Sequence, residues 1–470
     1  MQQAIIIGGG ISGLSTAWLL REQLRENGIP AQITLLEQED LPGGKIRSIR
    51  DNGFTCEWGP NGFLDNKPQT LELCRALGIE DRLQRSNDNA RRRFIYSAGE
   101  LHRLPENAAS FLTSRLLSWR GKLRLLGEPF ATPPPAGVDE TLAAFARRRL
   151  GQEALDKLIG PMVSGIFAGN PETMSLASCF PRIAELERDY GGLFRAMLLL
   201  ARKKRQERAA GKVTASAAGP GGTLTSFREG LQVLTDTLRE QLGDSVRPGC
   251  GVRAVTAEGG RYRVETDGCG ALQANLLIMA VPAYVAATVL APLDAGMPEL
   301  LEQIPYASLT VICCGYERER ISHPLDGFGY LNVRSAGRST LGTLWDSSMF
   351  ENRAPEGKVL LRSMAGGACL PELVNLPDGL LLSRVQDDLR KIMGIEAEPG
   401  FVRIFKHRQA IPQYLAGHGA RLARLEGLAA RHPGLFLTGN AFRGVGLNDC
   451  VASSLLTVGR AMAFVQGGVR

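Results

Sequence analysis

The first thirty-seven residues constrain the fold more than any other stretch. Residues 4–7 (AIII) form an uninterrupted apolar run, and Gly8-Gly9-Gly10-Ile11-Ser12-Gly13 follows at once as G-x-G-x-x-G. Leu14, Ala17, Trp18 and Leu20 then recur at helical spacing, and ITLLE at 33–37 ends a second apolar run on an acid. Strand, glycine turn, helix, strand and acid, in that order, make a dinucleotide-binding βαβ unit. Each glycine has its own task there. Gly8 permits the tight turn, Gly10 lets the backbone approach a pyrophosphate, and Gly13 lets the helix pack on the sheet. The helix presents its positive end to the phosphates, and Glu37 is placed to accept hydrogen bonds from a ribose diol.

The next segment separates flavin from nicotinamide domains. A nicotinamide domain continues into another crossover helix and strand. This chain instead makes QEDLPGGKIRS, with Gly43-Gly44-Lys45, and then FTCEWGPNGF at 54–63. An acid, five residues, two glycines and a base form the extended fingerprint of FAD proteins of the glutathione-reductase-like type, in which Lys45 is expected to offset phosphate charge. Far along the chain, LTGNAFRGVGLNDC at 437–450 precedes VASSLLTVGRAMAFV. An apolar strand, a glycine-dotted turn and an amphipathic helix there have the outline of a second nucleotide-binding loop.

Composition excludes several classes. With 470 residues, 44% hydrophobic and 22% charged, the chain is of ordinary globular type and long enough for two or three domains. Its net charge of +7 points to acidic partners such as lipid headgroups or anionic metabolites. The basic clusters lack interleaved aromatics and there is no zinc-finger spacing, so nucleic acid is not expected. The nine cysteines are scattered, without a CxxC pair or a histidine at metal-ligand spacing. Reduced thiols and no metal site are therefore expected. LLIMAVPAYVAATVLAPL at 276–293 has the length of a short transmembrane helix, but Pro282 divides it into a buried strand and a helix. No transmembrane span is expected.

Taken together, GGGISGLSTAWLL, LPGGKIRS, EWGPNGFL, RRFIYSAGELHRLP, SGIFAGNPETMSLASCFP, AIPQY and GVGLNDC resemble the oxygen-dependent protoporphyrinogen oxidase family, flavoenzymes that aromatise a porphyrinogen in haem synthesis. The motifs run from residue 5 to residue 450. The resemblance implies an α/β fold with three parts. A discontinuous FAD/NAD(P)-binding, Rossmann-like domain takes 1–90, 215–285 and 420–470. A mixed-sheet substrate domain takes 286–419, and a helical, membrane-associating insert takes 91–214. The resemblance also implies one non-covalent FAD, touched by Gly8, Gly9, Gly10, Ile11, Ser12, Gly13, Glu37, Gln38, Gly44, Lys45, Gly59, Pro60, Asn61, Gly62, Val252, His407, Val445, Gly446 and Leu447. In that arrangement the N–H groups of Val445, Gly446 and Leu447 face the pyrimidine edge of the flavin, where they stabilise its reduced anion.

By the same resemblance Arg93 grips a substrate propionate, and Gly165 lies beside the methylene bridge under attack. Aliphatic slot walls are expected from the strands around 309–316 and 328–345. O2 is the implied electron acceptor, and protoporphyrinogen IX the expected substrate, with coproporphyrinogen III as the alternative. A ferrochelatase-type pathway partner and peripheral contact with the cytoplasmic face of a membrane are also implied; a homodimer stays open. The insert fits such contact, because residues 106–210 hold sixteen Lys/Arg against eleven Asp/Glu, with FLTSRLLSW and FRAMLLLARKKRQER mixing apolar and basic residues. GKVTASAAGPGGTLTSF at 211–227 reads as a loop returning to the FAD domain.

Two positions depart from the family pattern: Gly62, where relatives often have serine, and His407, where some carry tryptophan. No acid–base residue is assigned, since the five histidines form no Ser–His–Asp or paired-acid constellation. Amine oxidases of the wider superfamily carry a lysine in PxxxxxK, whereas PYASLTV places Val311 there. An amine oxidase, a carotenoid desaturase and a non-catalytic FAD or haem carrier are the rival readings.

Overall fold

The computed structural model describes residues 1–135, 137–209 and 222–467. The chain begins with β1 (Gln2–Ile7), α1 (Ile11–Glu26) and β2 (Ala31–Leu36), followed by β3 (Phe54–Glu57), β4 (Arg93–Ser97) and β5 (Glu100–Arg103). A run of helices includes α2 (Trp119–Leu126), α3 (Gly160–Phe167) and α4 (Leu193–Ala209). Next come β6 (Val246–Arg247), β7 (Val252–Glu258), β8 (Leu276–Met279), α5 (Ala283–Leu290) and α6 (Gly296–Glu302). The last third supplies β9 (Tyr306–Glu317), β10 (Gly329–Asn332), β11 (Thr340–Leu344), α7 (Asp346–Met349), β12 (Lys358–Gly366), α8 (Asp378–Met393), β13 (Phe401–Pro412), α9 (His418–Ala429), β14 (Leu435–Leu437) and α10 (Leu447–Gly467).

Two sheets organise the molecule. The first is parallel, in the order β6-β2-β1-β8-β14, with Ile6 between Leu35 and Ile278, and Ile278 beside Phe436. Its central strands are buried on both faces, which is why they read as unbroken apolar runs. α1 and α10 cover one face, packing Leu14, Ala17, Val451 and Val458 into a common core. α10 is also long and apolar enough to cross a membrane by composition, but its buried half lies in this core. The second sheet is mixed, in the order β13-β9-β12-β11-β10-β4-β5, with β10 and β4 parallel and its other neighbours antiparallel. The two sheets match the expected parallel nucleotide-binding and mixed substrate sheets.

Several expectations need correction. Residues 93–103 do not open the helical insert: β4 pairs with β10, more than 230 residues later, and thereby joins the mixed sheet. Residues 286–302 do not start the substrate region, because α5 and α6 pack with Leu277, Met279 and Leu425 against the parallel sheet. Pro282 does divide 276–293, leaving β8 on one side and α5 on the other. The thiols are not all free. Cys250 and Cys269 form a disulfide, since the antiparallel ladder running from β7 brings their Cα atoms to 5.9 Å. Of the loop 211–227, residues 211–221 lie outside the described residues.

Candidate active site

The glycine turn between β1 and α1 divides its labour as the spacing predicts. Gly8 has φ +107°, and a Cβ there would lie 2.6 Å from the Ala280 carbonyl oxygen. A Cβ on Gly13 would lie 1.8 Å from the Gly8 oxygen, so only glycine lets α1 seat on β1. Gly10 is different: a Cβ there meets nothing within 4 Å. The space above it is open, and α1 starts at that point with no side-chain cap and no acid in its first turn. Unfilled N–H groups beside open space fit a pyrophosphate. Glu37 ends beside this turn, its carboxylate accepting from Gly9 N–H at 2.6 Å and Glu39 N–H at 2.9 Å. Gln38 lies exposed next to Gly251, and Cys250 N–H donates to the Glu37 carbonyl at 2.7 Å. Val252 is thereby held at the acid end of β2, where the adenosine half of a dinucleotide would lie.

The distant loop arrives at the same place. Ser454 of α10 donates to the Ser12 carbonyl at 3.0 Å and meets Ser15 Oγ at 2.9 Å. The start of α1 therefore stands beside the second turn of α10. Asn448 Nδ2 donates to the Leu64 carbonyl at 2.8 Å, tying α10 to the loop that follows β3. Of the three expected N–H donors, Val445 and Leu447 have no acceptor among the described residues, while Gly446 is turned to Asp449 Oδ2 at 3.3 Å. Cys450 is sealed in the first turn of α10, and burial pushes its thiol up to about 11.

Loop 58–62 forms the floor. Gly59 approaches the Lys45 carbonyl so closely that a Cβ would stand 2.3 Å from it. Gly62 has the same relation to the Thr225 oxygen at 2.4 Å, which accounts for the missing serine. Pro60 is exposed and Asn61 buried. Trp58 Nε1, Asn61 Oδ1 and Asn448 Oδ1 are buried without a partner among the described residues, and a polar cofactor would satisfy such groups. His407 donates to the Trp58 carbonyl at 3.0 Å and packs tilted on that indole; burial lowers its pKa.

Lys45 departs from expectation. Its backbone adjoins the turn, because a Gly44 Cβ would stand 3.2 Å from Gly10 Cα. The side chain, however, runs away from the phosphate position to the Gln409 carbonyl at 2.9 Å and the neighbouring Ala410 carbonyl on β13. Burial there lowers its pKa to about 8. Sequence spacing places a backbone but not the far end of a four-carbon side chain.

Beside this cradle the mixed sheet presents an aliphatic face. Leu309, Leu341, Met364 and Ile411 cluster with Ala168, and Leu331 stands next to them across the β10–β11 register. Met364 and Ile411 lie outside the strands predicted to supply walls; they reach the cluster through the pairing of β12 and β13 with β9. Gly165 is solvent-accessible on α3, and a Cβ there would touch Leu331 at 2.9 Å. The residue thus lets α3 close onto β10. Arg93 opens β4, two residues before the Ile95 that pairs with Leu331. Arg92 is taken by Asp326, whereas Arg93 has no acidic partner among the described residues and lies over Phe328 at 5.1 Å. Val311 is buried where an amine oxidase carries its lysine. No group of three or more metal-ligating side chains occurs among the described residues.

The two family-specific motifs meet physically. Gln413 of AIPQY donates to the Phe167 carbonyl at 2.9 Å, Ser175 N–H donates to the Tyr414 carbonyl at 2.8 Å, and the Tyr414 hydroxyl donates to the Asn440 carbonyl. AIPQY therefore locks SGIFAGNPETMS to the C-terminal turn.

Residues 11–462 match the family described as flavin containing amine oxidoreductase. The chain is 31% identical to the coproporphyrinogen III oxidase of Bacillus subtilis (strain 168), over 99% of this chain and 98% of that one. It is 32% identical to the chloroplastic protoporphyrinogen oxidase of Nicotiana tabacum, covering 98% and 86%, and 31% identical to the protoporphyrinogen oxidase of Homo sapiens, covering 96% of each. The crystal structure of a putative protoporphyrinogen oxidase from Exiguobacterium sp. 255-15 superposes with a TM-score of 0.82 at 30% identity, over 98% of both chains. A reduced UDP-galactopyranose mutase shares the fold at a TM-score of 0.73 and 18% identity. The chain belongs to the flavin containing amine oxidoreductases, and its full-length relatives within that family are protoporphyrinogen and coproporphyrinogen oxidases.

Proposed function

We propose that the protein is an FAD-dependent oxidase that converts protoporphyrinogen IX to protoporphyrin IX, passing six electrons to three O2 and releasing three H2O2. The observation that supports this reading is the aliphatic cluster of Leu309, Leu341, Met364 and Ile411, with Leu331 across the register, which we read as the wall of a substrate slot; Arg93, without an acidic partner among the described residues, stands nearby. FAD, when bound, supplies a hydride acceptor at its N5. The residues around it bind and orient. The slot wall excludes water from an apolar macrocycle, Arg93 pairs with a propionate, and Gly165 keeps approach to a methylene bridge free. No wall residue titrates, in keeping with electron-rich pyrroles that release their own N–H protons. The burial of Cys450 supports a cofactor held without a covalent bond.

Coproporphyrinogen III is the second reading. The Bacillus subtilis relative favours it, matching over 98% of its own length. Anaerobic addition of protoporphyrinogen IX to the yellow protein should bleach the flavin absorbance, and air should restore it with porphyrin fluorescence. Faster bleaching by coproporphyrinogen III would favour the second reading. No bleaching by either would leave a carrier.

The proposal extends to a cytoplasmic protein resting peripherally on a membrane. Trp119, Leu123 and Leu126 stand on one side of α2 at 68%, 65% and 65% exposure. Phe130 is 88% exposed in a turn that packs against both α2 and α4, where Met197 and Leu198 are exposed. Arg120, Arg195, Arg202 and Lys203 lie exposed around them. Apolar side chains framed by cations suit an anionic bilayer surface.

A further inference from the structure

Loop 58–62 must hold its shape under the cofactor, yet the parallel sheet does little to fix it. Its anchors come from the other sheet. Arg362 of β12 donates through Nη1 to the Gly59 carbonyl at 2.8 Å, and its Nε lies 3.1 Å from Asp346 Oδ2. The second oxygen of Asp346 accepts from Asn61 Nδ2 at 3.1 Å. The side chains of Asp346 and Arg362 are 0% and 3% exposed. One strand-end further, Glu57 pairs with Arg353 at 2.9 Å, again out of water. A buried ion pair contributes less to stability than apolar packing of the same volume in many proteins, so stability alone is a poor account of it. Its position is more telling. Met364, two residues after Arg362 and on the same face of β12, belongs to the aliphatic cluster that the proposed function takes as the slot wall. One strand therefore carries both a slot wall and the anchor of the cofactor loop.

We propose that Asp346 and Arg362 are positioning residues: the pair sets the Gly59–Gly62 loop, and through it the flavin, relative to the slot wall. This rests on the proposed FAD site. Arg362 suits the task because its planar fork spans a carboxylate and a carbonyl at once, which a lysine ammonium cannot do with the same geometry. Asp346 is the first residue of α7, and its short, buried side chain meets Asn61 and Arg362.

The experiment uses the full chain, stripped of flavin and titrated with FAD, and reads the dissociation constant, the visible circular dichroism of bound flavin and the melting temperature. Arg362→Lys keeps the charge beside Asp346 and removes the reach to Gly59. It should melt near wild type, bind FAD about tenfold more weakly or worse, as loss of one charge-assisted hydrogen bond requires, and alter the flavin dichroism. The double change Asp346→Leu with Arg362→Met removes both charges together; it should recover stability lost by either single change and still show weak FAD binding. Native affinity and native dichroism in Arg362→Lys would overturn the proposal, whether or not the double variant folds. A wild-type chain that refuses FAD would instead overturn the proposed cofactor site, so the two failures are distinct.

Discussion

Gly10→Ala separates cofactor binding from folding. The backbone at Gly10 has φ −75° and ψ 179°, a conformation any residue adopts, and the added methyl meets nothing within 4 Å. Without cofactor, alanine loses about 0.5–1 kcal/mol of N-cap preference and regains about 0.4–1 kcal/mol from reduced freedom in the unfolded chain. The net is near zero, and the melting temperature of the flavin-free protein should move by no more than about 2 °C. With cofactor the same methyl stands where the pyrophosphate approaches. Loss of one or two charge-assisted hydrogen bonds, at about 1.5–3 kcal/mol each, weakens FAD by at least about tenfold and up to roughly 20,000-fold. Gly13→Ala is the control. Its methyl would overlap the Gly8 oxygen at 1.8 Å, so overpacking of about 1–3 kcal/mol falls on the fold as well as the site. Flavin fluorescence titration and differential scanning fluorimetry of stripped protein read the two effects separately. Wild-type FAD affinity in Gly10→Ala would refute the placement of the pyrophosphate over this turn. A loss of flavin-free stability equal to that of Gly13→Ala would refute the packing argument.

Three further outcomes follow from the same geometry. Arg93→Ala should raise the porphyrinogen KM by about 10- to 100-fold, as loss of a charged hydrogen-bonding partner requires, while the flavin spectrum and FAD affinity stay unchanged. His418 is buried with its Nε2 at 3.2 Å from the Phe442 carbonyl, and burial lowers its pKa to about 4. The unfolded chain, with an ordinary histidine pKa near 6.5, then takes up the proton first, so stability is full above about pH 6.5 and falls by up to about 3 kcal/mol as pH drops toward 4; His418→Gln should flatten that part of a melting-temperature profile. Trp119→Ser with Phe130→Ser should reduce co-sedimentation with anionic vesicles severalfold without changing turnover of detergent-solubilised substrate, and unchanged co-sedimentation would remove those side chains from the membrane contact.

The glycine turn was legible because its logic is local. Gly8, Gly10 and Gly13 each answer a steric demand set within a few residues, and Glu37 falls at the end of the adjacent strand. The strand, turn and helix at 437–465 were also readable as a second loop of that outline, but its meeting with α1 came from the family resemblance and not from the spacing. What stayed hidden depends on pairing over long separations. The union of β4 with β10, the packing of α5 and α6 on the parallel sheet, and the Cys250–Cys269 link all follow from tertiary contacts that periodicity does not encode. The buried pairs left a faint trace: Arg362 interrupts the apolar run VLLRSMAG, and Glu57 sits inside FTCEW. A charge within a strand buried on both faces demands a partner, but nothing local says that Asp346 is the partner of one and Arg353 of the other.

The pairing of Ser15 with Ser454 has a consequence for biogenesis. At about 5–20 residues per second of translation, the ribosome needs on the order of 20–90 s to travel from one serine to the other. For roughly the first three-fifths of that interval β1 lacks the neighbour it will find in β8, and until its end the glycine turn has only one of its two helices. Flavin loading is therefore a late event: a nascent chain short of β8 presents a hydrophobic strand edge to chaperones, and one short of α10 offers its coenzyme half a cradle.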